Sequence, residues 1–158
     1  SVDGLYTLTV GETKTILGAE IYFDNILNLA NEVRLFVDGE SVKILETKKE
    51  EIASDLEISV NVFDFKDDMV TFKIIPLELE ENQFLVRKGT PLEYDGKEIA
   101  ITDSKSTDHI VIKVNTAGES DDISDIIYKG RSETVNGIKI KNVKNYYINT
   151  NYAIIEIL

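Results

Sequence analysis

Apolar and polar residues alternate with period two through most of this 158-residue chain. Ile58, Val60 and Val62 alternate with Glu57, Ser59 and Asn61, and Val70, Phe72 and Ile74 with Thr71 and Lys73. Ile110, Ile112 and Val114 are interleaved with Val111 and Lys113, and Ile138 and Ile140 with Lys139 and Lys141. Successive strand residues point to opposite faces, so each run predicts a β-strand with one buried face. Half-buried strands of this kind belong to antiparallel sheets packed face to face. Asp38-Gly39, Asp95-Gly96 and Asn136-Gly137 fall between such runs, a strong short-range hairpin signal. Helical signals are scarce. Residues 24–31 could form one or two turns, and 121–128 another with Ser120 as N-cap. Either stretch also fits a crossover between sheets.

The pattern recurs four times, over residues 8–37, 43–74, 84–114 and 125–157. Each copy predicts three strands, and the turn inside it falls at Leu17-Gly18-Ala19, Ala53-Ser54-Asp55, Asp95-Gly96 and Asn136-Gly137 in turn. An acidic stretch without glycine, 77–83, divides the four copies into two pairs. The expected fold is therefore all-β: two tandem small β-sandwich modules of the immunoglobulin-like kind, over 1–80 and 83–158, built from four related three-strand repeats. A single larger sandwich with interleaved strands is the alternative.

Charge adds an asymmetry. Net charge is −12, and residues 1–82 hold 18 acids and 7 bases while 83–158 hold 11 and 10. The acidic balance argues against nucleic acid and against anionic membrane surfaces as partners. No apolar run approaches the length of a membrane span, so no membrane insertion is expected of this chain. With no cysteine, disulfides, thiol nucleophiles and thiolate metal sites are excluded; with one histidine, so is a multi-histidine site. The chain starts at Ser1, which suggests a processed protein or an excised fragment.

The segments RKGTPLEYDGKEIAITDSKSTDHIVIKV, DIIYKGRSETVNGIKIKNVKN and VGETKTILGAEIYFDNILNLANEVRLFVDGE resemble the surface-layer proteins of archaeal methanogens. In both, a glycine turn with a charged neighbour leads into a strand, a Gly-Lys or Asn-Gly turn, an alternating apolar strand and an acidic turn. The resemblance implies a secreted, non-enzymatic β-sandwich protein of the cell envelope or of an extracellular filament. Its partners would be copies of itself or neighbouring envelope proteins. The chain departs from that family in having no Asn-X-Ser/Thr sequon and in being shorter than a complete surface-layer protein.

Candidate sites are few. Asp121, Asp122 and Asp125 form the acidic loop best suited to calcium, the one cofactor considered, against the plainer reading of solvated turns. Tyr146, Tyr147 and Tyr152, with Asn145, Asn149 and Asn151 nearby, offer a carbohydrate-binding surface, although tyrosines also simply favour strands and interfaces. The chain ends YAIIEIL and begins near GLYTLTV. A strand apolar on both sides must be buried on both or paired with a partner. Tyr6, Leu8, Val10, Ile154, Ile155, Ile157 and Leu158 are thus candidates for assembly by donation of a strand to a neighbour, as in an archaeal surface appendage, unless each strand closes its own sandwich. Paired carboxylates of a glycosidase, or a Ser-His-Asp site around His109, would need a cleft or a nucleophile elbow, and no Gly-X-Ser-X-Gly occurs.

Overall fold

The computed structural model describes residues 4–27, 32–45, 49–64, 67–103, 108–146 and 152–158, with the side chains of 62–64 and 103 excepted. The chain divides into two compact units, Ser1–Glu78 and Leu79–Leu158. In the first unit the strands are β1 (Leu5–Thr9), β2 (Thr13–Ile16), β3 (Ala19–Leu27), β4 (Glu32–Val37), β5 (Glu40–Ile44), β6 (Glu51–Ala53), β7 (Leu56–Asp64) and β8 (Met69–Pro76). In the second they are β9 (Gln83–Arg87), β10 (Leu92–Tyr94), β11 (Lys97–Asp103), β12 (His109–Thr116), β13 (Ile123–Tyr128), β14 (Ser132–Val135), β15 (Ile138–Asn145) and β16 (Tyr152–Ile157).

Among the described residues all pairings are antiparallel, in four sheets of four strands. The first unit stacks β2-β3-β4-β5 on β6-β7-β8-β1, and the second pairs β10-β11-β12-β13 with β14-β15-β16-β9. Neighbours in the chain are neighbours in the sheet, and the first strand of each unit returns to pair with its last. This is an up-and-down meander folded into two layers. The all-β expectation is met, with β1 beside β8 and β9 beside β16 the two pairings between strands distant in the chain and the other pairings a meander. The cause is the turn chemistry, since two-residue loops leave a strand no choice but to pair with its successor.

Five of those loops are alike: Asp38-Gly39 joins β4 to β5, with Val37 facing Glu40 and φ of 49° and 83°, and the other four each join the first two strands of a sheet. Ile16 faces Ala19, Ala53 faces Leu56, Tyr94 faces Lys97 and Val135 faces Ile138. Both central residues have positive φ in every case: Leu17 50° and Gly18 84°, Ser54 50° and Asp55 58°, Asp95 49° and Gly96 75°, Asn136 46° and Gly137 82°. Such turns follow the right-handed twist of the flanking strands. The strand after each of these four turns then slips register by one residue, at Phe23/Asn25, Val60/Val62, Ile101/Asp103 and Asn142/Lys144. A bulge at that place increases the local twist and bends the strand. The four sheets therefore share one layout: short strand, tight turn, bulged strand and two further strands.

Each unit buries its own core. Phe23, Leu35 and Ile44 of one layer meet Leu8, Val60 and Phe72 of the other, with the Phe23 and Phe72 rings edge to face at 5.3 Å. The second core joins Ile99, Ile112 and Ile127 to Val86, Ile140 and Ile155. Val60, Phe72, Ile112 and Ile140 among them are residues that the period-two pattern assigns to one face, and burying a side chain of this size is worth about 1.5–3 kcal/mol. The helical expectation for 121–128 fails. Residues 123–128 are strand β13, paired along its length with β12, and three β-branched isoleucines favour that outcome. Residues 24–27 belong to β3, while 28–31 lie outside the described residues.

Candidate functional site

The proposed calcium loop is a fastening instead. Asp121 follows β12, and its carboxylate accepts hydrogen bonds from the Thr116 amide at 2.7 Å and the Thr116 hydroxyl at 2.6 Å. The Asn136 side-chain amide donates to the same carboxylate at 3.3 Å and to the Asp121 carbonyl at 3.1 Å. Asn136 reaches on to the Val114 carbonyl at 3.1 Å, and Lys97 donates to its Oδ1 at 3.2 Å. The tight turn of one sheet is thereby tied to the end of the other. Donation from the Thr116 hydroxyl, then from its amide, lowers the Asp121 pKa from 3.8 to about 2. With both oxygens engaged, Asp121 does not gather with Asp122 and Asp125. Asp122 is exposed, and Asp125 sits on β13 with its Oδ1 on the Ile126 amide at 2.8 Å. Among the described residues no three acidic or histidine side chains converge as metal ligands do.

The first unit has the same device, which the sequence pattern did not reveal. Asp38, in the turn between β4 and β5, accepts from the Ser54 hydroxyl at 2.6 Å and from the Glu20 amide at 2.9 Å. These bonds, Ser54 foremost, hold its carboxyl below the ordinary aspartate range. Ser54 and Asn136 occupy matching turns of their units, so an aspartate after the third strand of one sheet fastens the tight turn of the other in both. The only readable signal is an acid after the third strand and a polar residue in the following tight turn.

The proposed sugar-binding tyrosines do not form an exposed patch. Tyr146 is 1% exposed and Tyr152 8%; Tyr147 lies outside the described residues. Arg87 sits over the Tyr152 ring at 5.4 Å, and the Lys144 ammonium lies 5.5 Å from the Tyr146 ring. The large apolar area of a tyrosine ring favours burial over display. Beside them Asn142 is fully buried in a core slot that Phe23 and Val60 fill at the equivalent bulges. Its side chain donates to the Ile127 carbonyl at 2.9 Å and exchanges hydrogen bonds with Asn145 at 3.0 and 3.1 Å.

The terminal strands both belong to their own sheets. β16 lies between β15 and β9, so it has no free edge to donate. Ile155 and Ile157 enter the core, Ile154 is buried on the opposite face, and Leu158, 57% exposed, ends the ladder with its amide on the Lys139 carbonyl at 3.0 Å. β1 pairs with β8 along one edge; Leu8 is buried, and Tyr6 and Val10 pack against the same core. The last strand thus has a neighbour on each side.

His109 opens β12, with its Nδ1 2.7 Å from the Asp108 carboxylate and its ring 5.4 Å from Tyr128. A recess of about 270 Å³ on the first unit is lined by Glu50, Glu57, Ser59, Asn61, Lys73 and Ile75. It draws on residues 50–75 alone, so it does not assemble acids from several of the recurring segments as a glycosidase cleft would. No helix among the described residues is long and apolar enough to cross a membrane. The fold and these fastenings define the class: an all-β chain of two meander sandwiches. Compared with protein-family models, curated proteins and solved structures, the chain finds no match.

Proposed function

We propose that this chain is a structural, non-enzymatic building block of a cell-surface or extracellular assembly, of the archaeal surface-layer kind, associating with its own copies or with neighbouring envelope proteins through sheet edges. One observation carries the reading: a single four-stranded layout occurs four times, and Asp38 and Asp121 are committed to fastening its turns. Each braced sandwich leaves edge strands whose outer backbone groups face no further strand among the described residues. Those edges are where β-proteins join one another. A carbohydrate-binding role loses its support with the burial of Tyr146 and Tyr152. The donor-strand version of an appendage subunit loses its support with the central position of β16.

Light scattering coupled to size-exclusion chromatography, followed by electron microscopy, tests the proposal. Dimers or larger ordered assemblies that grow with protein concentration are the expected result. A chain that stays monomeric from micromolar to millimolar concentration overturns self-association.

A further inference from the structure

Strand β13 keeps Ile127 in the core but departs from its counterpart in the first unit on both faces. Registers with the preceding strands align Ile127 with Ile44, Asp125 with Val42 and Ile126 with Lys43. In the first unit the core-facing residue is a buried valine and the outward one a lysine, the usual guard of an edge strand. In β13 the core-facing position carries the exposed Asp125, and the outward positions carry Ile126, 46% exposed, and Tyr128, 55% exposed. Both departures are unfavourable for a strand that faces only water.

The backbone shows which groups are on offer. Lys129 donates its amide to the Asp108 carbonyl at 2.7 Å. With the observed register, the odd-numbered residues of β13 therefore bond to β12, while the amides and carbonyls of Ser124, Ile126 and Tyr128 point away from it, the Tyr128 carbonyl already accepting from the Arg131 amide at 2.9 Å. The Asp125 carboxylate covers the Ile126 amide.

We infer that the free edge of β13 pairs antiparallel with β13 of a second copy, about a twofold axis at Ile127. The inference rests on the self-association proposed above and names its surface. In this register the Tyr128 amide of each copy donates to the Ile126 carbonyl of the other, the Ile126 amide shares the Tyr128 carbonyl with Arg131, and the side chains of Ile126 and Tyr128 cover one another. Asp125 of each copy then faces Lys129 of the other, in a pair without backbone bonds, where side chains approach closely. The strand is thus self-complementary in charge. A register centred on Asp125 would oppose two carboxylates, and one centred on Ile126 would set Asp125 against Ile127. Asp125 covers the edge in the single chain and becomes the counterion of Lys129 in the pair.

The test is charge reversal in the full chain at two exposed positions, followed by sedimentation velocity and light scattering, with circular dichroism to establish folding. The unaltered chain should show a mass at least twice its 17.8 kDa. Asp125→Lys and Lys129→Asp should each weaken association about tenfold or more, because each sets like charges at two symmetric places. The double variant Asp125→Lys/Lys129→Asp should restore it. Association that is unchanged in both single variants places the contact on another edge and overturns this inference, while the structural proposal stands. A folded double variant that fails to recover overturns the register. A monomeric unaltered chain overturns both.

Discussion

Leu17 is the residue least suited to its own backbone. It holds φ of 50° at the first position of a tight turn while 53% exposed, where its counterparts are Ser54, Asp95 and Asn136. A left-handed conformation costs an ordinary L-residue about 1–2 kcal/mol, and asparagine tolerates it better. Leu17→Asn should therefore raise stability by about 0.5–1 kcal/mol in urea unfolding, with an unchanged slope against denaturant. Asp121 sets a different expectation. Its folded pKa of about 2 lies below the ordinary aspartate value, so its contribution is complete above about pH 4 and is lost as pH falls towards 2. Asp38 shifts in the same direction. Asp121→Asn should lower the melting temperature at neutral pH and flatten the loss of stability between pH 4 and 2, read from melting curves at stepped pH. Sequence spacing made the Asp-Gly and Asn-Gly turns legible because their chemistry is local. Thr116 lies only five residues from Asp121, but Ser54 and Glu20 lie 16 and 18 residues from Asp38 and Asn136 lies 15 from Asp121, and only the fold brings these within reach.

At the scale of the strand, period two marked the core faces of β7, β8, β12 and β15 because each strand has one wet side. It misjudged β13. There the apolar residues fall at 123, 126 and 127 instead of alternating, a spacing that also fits one face of a helix. Pairing with β12 decides the matter in favour of strand. β16 misled in the opposite way. A strand apolar on both sides looks like one in search of a partner, and here its place between β15 and β9 supplies both neighbours. Asn142 was equally unreadable, since it stands in a core slot where an alternating pattern calls for an apolar residue. Its amide carries the bond to Ile127 and the exchange with Asn145, linking the bulge of β15 to β13. Asn142→Ala should destabilise the chain by about 1–3 kcal/mol, the cost of removing a buried hydrogen-bonded partner. A loss below 0.5 kcal/mol in chemical denaturation would mean that the network braces nothing.

For the molecule as a whole, the acidic surplus of residues 1–82 and the acidic turns of the second unit invite a role for calcium in assembly. The geometry opposes it. Calcium takes six to eight oxygens at close range, whereas Asp121 has both of its oxygens on Thr116 and Asn136, and Asp125 turns to the Ile126 amide. To bind the ion, Asp121 would have to give up bonds that fasten the turn, and Asp125 its bond to the Ile126 amide, so binding would loosen the unit as it formed. Millimolar calcium should accordingly change neither the assembly state nor the melting temperature beyond what an equal ionic strength of sodium chloride does. A specific site occupied at a hundred times its dissociation constant would add about 2.7 kcal/mol, which for a module of this size is about 10 °C or more. The contrast between no shift and a shift of that order is easily measured by calorimetry with calcium and with a chelator. A rise of that size would place the ion on groups other than the fastening aspartates. No rise leaves the cohesion of copies to backbone edges and the side chains beside them, and assembly should then respond to the charge of Asp125 and Lys129 and be indifferent to the metal.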